Sequence, residues 1–141
     1  MTSLLKKLNY REQLRIAVIN AEKNFLTALL QEMPGVQIDS DIDQRYPYTF
    51  IIAFVRKIPD VRQLTPLILH NLATDGVLWF CYPKKKPGKN STELNRDNGW
   101  KPLNDAGFFV IRNVAVDETW SALRFRNLRF IKSTSERFKM V

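Results

Sequence analysis

A single cysteine and a single histidine in 141 residues remove whole classes of chemistry. One thiol cannot form an internal disulfide, and no Cys/His cluster is available for zinc. Asp39, Asp41 and Asp43 alternate as calcium ligands do, but the glycine and distal glutamate of an EF-hand loop are missing. No metal site is expected. Glycine is scarce, five in all and none before Gly35, so the first third of the chain has no glycine-rich phosphate loop. No apolar run approaches the roughly 18 residues that cross a bilayer. Leu4, Leu5 and Leu8 are interrupted by Lys6 and Lys7, too short and too charged for a signal-peptide core. No membrane partner and a cytoplasmic location are the expectation.

Acidic residues are the last shortage. Fourteen Asp and Glu stand against 22 Lys and Arg, a net charge of +8. That surplus favours an anionic partner, a phosphorylated small molecule or nucleic acid, and is equally what a solvated basic surface looks like. With 45% hydrophobic residues the chain can bury one core without staples. A single domain over 1–131 is expected, followed by a basic tail over 132–141.

What is present is organised around Thr74 to Lys86. Thr74-Asp75-Gly76 predicts a turn, and Val77 to Tyr82 is apolar without alternation, the pattern of a strand covered on both faces. Cys81 lies inside that run and is expected to be a small buried hydrophobe. Pro83 ends the strand. Lys84, Lys85, Lys86 and Lys89 follow at its carboxyl end, the side on which open α/β sheets bind ligands.

Elsewhere, Ser3 is placed to cap a short amphipathic helix that lies as a lid on the sheet edge. Leu14 to Asn20 and Tyr48 to Val55 predict two more interior strands. Between them Phe25, Leu26, Leu29, Leu30 and Met33 recur at helical spacing up to Pro34-Gly35, and Val36 to Asp39 is a short strand. Val61, Leu64, Ile68 and Leu72 line a further helix capped by Asp60, which Pro66 should kink or restart at Thr65. His70 on that helix is expected at the surface. Glu93 to Ala106 predicts a helical segment ending at Gly107. Phe108 to Val116 and Trp120 to Phe130, joined by Asp117-Glu118-Thr119, can only be an antiparallel hairpin. The result is an α/β fold, a doubly wound, mostly parallel sheet of Rossmann type ending in an antiparallel hairpin.

That order resembles the methyltransferase variant of the Rossmann fold. The segments Asp75-Gly76-Val77-Leu78-Trp79, Tyr82-Pro83-Lys84, Asn95-Arg96-Asp97 and Trp120-Ser121-Ala122-Leu123-Arg124 resemble those of a family of small bacterial proteins of unassigned activity, with a degenerate fold of this type. The resemblance covers about residues 4 to 126. The likeness to the methyltransferase fold implies the cofactor places of its S-adenosylmethionine enzymes, a glycine-rich turn after the first strand and an acid at the end of the second. Here Asn20 and Asp39 occupy those places. The turn, Asn20-Ala21-Glu22-Lys23-Asn24-Phe25, contains no glycine, and Ala21 and Phe25 crowd it. No cofactor is therefore expected.

The remaining candidates are anion binders. Asn95 and Arg96 begin the predicted helix after the lysine loop, where capping and a surface ion pair are the simpler reading. Trp120, Arg124 and Arg126 share one strand face, fit to hold a phosphate or stack a base, or else to guard an edge strand with charge. A non-catalytic binding module for an anionic ligand is the reading these residues favour. A divergent S-adenosylmethionine-dependent methyltransferase and a structural homodimer are the alternatives.

Overall fold

A computed structural model describes residues 3–84 and 94–131. Helix α1 (Ser3–Lys7) precedes strand β1 (Arg15–Ile19), helix α2 (Lys23–Glu32) and strand β2 (Gln37–Asp39). Strand β3 (Tyr48–Phe54), helix α3 (Ile58–Asn71) and strand β4 (Leu72–Pro83) follow. Helix α4 (Lys101–Asp105), strand β5 (Phe108–Ala115), strand β6 (Trp120–Asn127) and a 3₁₀ turn (Leu128–Phe130) complete the described chain. The sheet order is β2-β1-β3-β4-β6-β5. The first four strands are parallel, and the β5-β6 hairpin docks antiparallel on β4.

The three unalternated apolar runs are the three central parallel strands, because both of their faces are covered. On one face Ala17, Ile51, Ala53, Leu78 and Phe80 pack with Val61 and Ile68 of α3 and Leu103 of α4. On the other, Val18, Phe50, Ile52, Trp79 and Cys81 pack with Leu5 and Leu8 of the N-terminal segment and Leu29 of α2. Cys81 is fully buried, and burial pushes its thiol far above the ordinary range. It should stay unreactive toward a thiol reagent in the native protein and react at the rate of global unfolding; rapid labelling at neutral pH without denaturant would show the strand open.

Five expectations need correction. Helix α1 covers the sheet face, since the Leu8 carbonyl accepts the Trp79 indole N–H at 2.7 Å over central strand β4. Residues 73–76 form an irregularity inside β4 where its register with β3 shifts, Tyr48 pairing Leu72 and Phe50 pairing Val77. Helix α3 does not restart at Thr65 but continues as one helix through Pro66. The missing N–H there would have met the Arg62 carbonyl, on an exposed turn where water can serve. Thr65 caps nothing; its hydroxyl donates back to the Val61 carbonyl at 2.6 Å. The helix expected over 93–106 is reduced to α4, because Asn95 and Asn98 exchange backbone hydrogen bonds across a tight turn. Gly99 leaves that turn at φ +105, and a Cβ there would sit 2.4 Å from Leu94. Finally, β6 lies between β4 and β5, so the Trp120–Arg126 stretch is an interior strand and β5 is the edge.

Candidate functional site

The chain leaves β1 through α2 on one face and leaves β3 through α3 on the other, so the sheet reverses its winding between β1 and β3. In an open α/β sheet the crevice beyond the carboxyl ends at such a point is where ligands bind. Asn20 begins the turn after β1 in a left-handed conformation (φ 57), which asparagine tolerates better than most residues. Glu22 follows as the N-cap of α2, with no side-chain hydrogen bond to the helix. From the other lip, just past β3, Arg56 reaches across to Glu22 at 3.4 Å.

Beneath that bridge the crevice is aromatic. Phe25 and Phe54 meet edge to face with centroids 4.9 Å apart, and Phe54 meets Trp120 in the same way at 4.9 Å. The Arg56 guanidinium lies over the Trp120 ring, 4.9 Å from its centroid. Trp120 is only 1% exposed, so it offers no face to a stacking base. Its indole N–H is buried without a hydrogen-bond partner among the described residues. The exposed Arg56–Glu22 pair contributes little by itself; the aromatic contacts beneath it are the stable part.

Asp39 is turned away from this crevice. It pairs with Ala17, two rows short of the end of β1, about 7 Å below the crevice by strand rise. Its carboxylate accepts Arg15 Nε at 2.8 Å, Gln37 Nε2 at 2.9 Å and the Tyr48 hydroxyl. Arg15 also binds Asp43 at 2.9 Å and lies over Tyr46 at 4.2 Å from the ring centroid. Burial raises the Asp39 carboxyl, but the hydrogen bonds from Tyr48, Gln37 and Arg15 outweigh it and hold the group below the usual carboxylate range. The same network ties down residues 40–47, which cross from β2 to β3 where a helix would ordinarily run.

The other predicted site residues are dispersed. Lys84 closes the carboxyl end of β4, its backbone N–H donating to Thr119 at 2.8 Å and its ammonium to the Asp117 carbonyl at 2.6 Å. Lys85, Lys86 and Lys89 lie outside the described residues. Asn95 is absorbed into its turn, accepting the Asp97 N–H on its side chain and the Trp100 indole on its carbonyl, both at 2.8 Å. No helix starts at Arg96; it is exposed and lines an open groove of about 730 Å³ between α4 and edge strand β5. Arg124 and Arg126 are four and six residues from Trp120 along β6, roughly 13 and 20 Å toward the other end of the sheet. Arg126 is held there by both oxygens of Asp75, at 2.8 and 2.6 Å.

Sequence reasoning missed Arg56 and Arg112. Arg56 was signalled by its place directly after a central strand, at the ligand end of the sheet. Arg112 became visible only once the hairpin register set it opposite Arg124.

No protein-family model and no curated protein matches this chain. Solved structures do. A protein of Sulfolobus solfataricus classed with the type 11 methyltransferases is 10% identical, with 94% of each chain covered and a TM-score of 0.52. A Listeria monocytogenes protein of uncharacterised role is 8% identical over 99% of this chain and 74% of its own, at 0.56. The Methanococcus jannaschii fibrillarin pre-rRNA processing protein is 11% identical over 82% and 67%, at 0.52. The fold is thus the Rossmann-like methyltransferase fold, and at these identities the likeness speaks of fold alone.

Proposed function

We propose that this protein is a non-catalytic binding module on a methyltransferase fold, with a basic surface for an anionic ligand. One observation carries the first half of that reading. At the switch-point end of the sheet Phe25, Phe54 and Trp120 stack edge to face, and Arg56 lies over Trp120 and bridges to Glu22. Two features speak against S-adenosylmethionine: the turn that should approach it with bare backbone carries side chains from Asn20 to Phe25, and the acid that should meet its ribose is committed to Arg15, Gln37 and Tyr48. The charge of +8 supports the second half.

A divergent methyltransferase is the second reading, favoured by the fold likeness to the Sulfolobus protein. A thermal-shift screen separates the two, because any ligand that binds only the native state raises the melting temperature. S-adenosylmethionine should leave Tm unchanged while phosphate-bearing probes raise it. A rise with S-adenosylmethionine alone would favour the enzyme.

A further inference from the structure

We propose that Arg112, Arg124 and Arg126 form an oxyanion site that takes a phosphate group, on the sheet face covered by α1 and well away from the switch-point crevice. The proposal rests on the binding-module reading and gives it a site. Arg112 on β5 is the ladder partner of Arg124 on β6, and Arg126 lies two residues further along β6. Direct partners and alternate residues project from the same face. Like charges set directly opposite each other destabilise a sheet, so three arginines on one patch need a reason.

The surroundings do not neutralise them. Among the described residues Asp75 is the one carboxylate that acts on Arg124, and both its oxygens are already taken by Arg126. Arg112 donates to the neutral Asn9 side chain at 3.2 Å. Arg124 is 8% exposed, and its Nε is buried with no hydrogen-bond partner among the described residues. Arg15, the other arginine set into this sheet, binds two carboxylates. A buried cation without a partner is costly, and the four side chains at this patch leave two positive charges unbalanced. Burial and the neighbouring Arg126 press the Arg124 guanidinium below its ordinary range. A phosphate would supply both the missing acceptor and the missing charge, since its oxygens match guanidinium forks and it carries up to two negative charges.

The test is melting temperature and titration calorimetry with inorganic phosphate, pyrophosphate and a short single-stranded oligonucleotide, each against chloride at equal ionic strength. In the parent, about 10 mM phosphate should raise Tm by roughly 3 °C or more. Arg124→Met should melt higher than the parent in chloride, because a buried unpaired charge is gone, and should lose the phosphate increment. Arg112→Gln, at an exposed position, keeps the test decisive if Arg124→Met does not fold; it should weaken phosphate affinity about tenfold or more. Stabilisation by the oligonucleotide that disappears in either variant would support the same site with the phosphate carried on a nucleic-acid backbone. An equal phosphate increment in the parent and both variants would overturn the site and leave the module reading standing. No increment with any anionic probe would overturn both, and a Tm rise with S-adenosylmethionine would overturn the module reading on its own.

Discussion

Trp79→Ala should cost about 3–5 kcal/mol of folding stability, the range for deleting a large buried aromatic, and lower Tm by roughly 10–15 °C in a chain of this size. Trp79 is fully buried on the central strand β4. Its indole N–H donates to the Leu8 carbonyl at 2.7 Å, joining the N-terminal segment to the sheet across 71 residues of chain. Alanine leaves a cavity between sheet and lid and orphans that carbonyl. Against a typical total of about 5–15 kcal/mol, that is a large fraction of the stability. Trp79→Phe separates the two contributions: it fills most of the volume but cannot donate, so about 1–3 kcal/mol should go. In that variant amide exchange should rise first at Leu8, whose N–H is bonded to Leu4. Unchanged protection of Leu8 in Trp79→Phe would mean that the lid is held by packing alone.

Asp39→Ala should also destabilise strongly, by about 2–4 kcal/mol, because removing one member of a partly buried, hydrogen-bonded charge pair leaves the other uncompensated. The Asp39 side chain is 13% exposed and that of Arg15 23%, while Tyr48 is fully buried and would lose its acceptor. A carboxylate kept for a ribose would give the opposite result, a stable protein with altered ligand binding. The pH dependence adds an independent check. In the fold Asp39 sits below its ordinary range because its hydrogen bonds outweigh burial, and Asp75 does so chiefly through its bond from Arg126. In the unfolded chain both return to about 4. The stability they contribute is therefore fully present above about pH 4 and is lost as pH falls through their lowered native values. Parent Tm should drop steeply below pH 4, and the gap between parent and Asp39→Ala should narrow there. A parent-like Tm for Asp39→Ala at pH 7 would contradict the structural role.

Hydrophobic pattern made the sheet legible. Val77 to Cys81 and Phe50 to Phe54 could be read as central strands because strands covered on both faces have no polar side to interrupt the run. The hairpin was legible from the short 117–119 connection, but a turn does not say which of its strands meets the rest of the sheet. Hence β6 was read as an edge although it lies inside. The 93–106 segment misled for a local reason: Asn95, Asn98 and Gly99 have side chains and backbone that serve tight turns as well as helix ends.

Of the candidate site, the glycine-free turn after β1 was visible in the sequence, whereas the aromatic stack beside it was not. Phe25, Phe54 and Trp120 each looked like core or surface of its own element, and only the fold brings them into one stack. Arg56 meets Glu22 across 34 positions and Arg15 meets Asp39 across 24. No periodicity links residues so far apart. The lysine cluster was the loudest sequence signal, and Lys84, its one described member, is occupied with the hairpin carbonyl of Asp117.

Titration calorimetry with S-adenosylmethionine tests most directly the claim that the crevice of this methyltransferase fold is closed. With Phe25, Phe54 and Trp120 in place, no heat of binding should be seen up to about millimolar cofactor, a ceiling that leaves less than roughly 4 kcal/mol of binding free energy. A saturable isotherm at micromolar concentration, abolished by a substitution at Asn20 or Asp39, would show the crevice open to the cofactor and contradict the account.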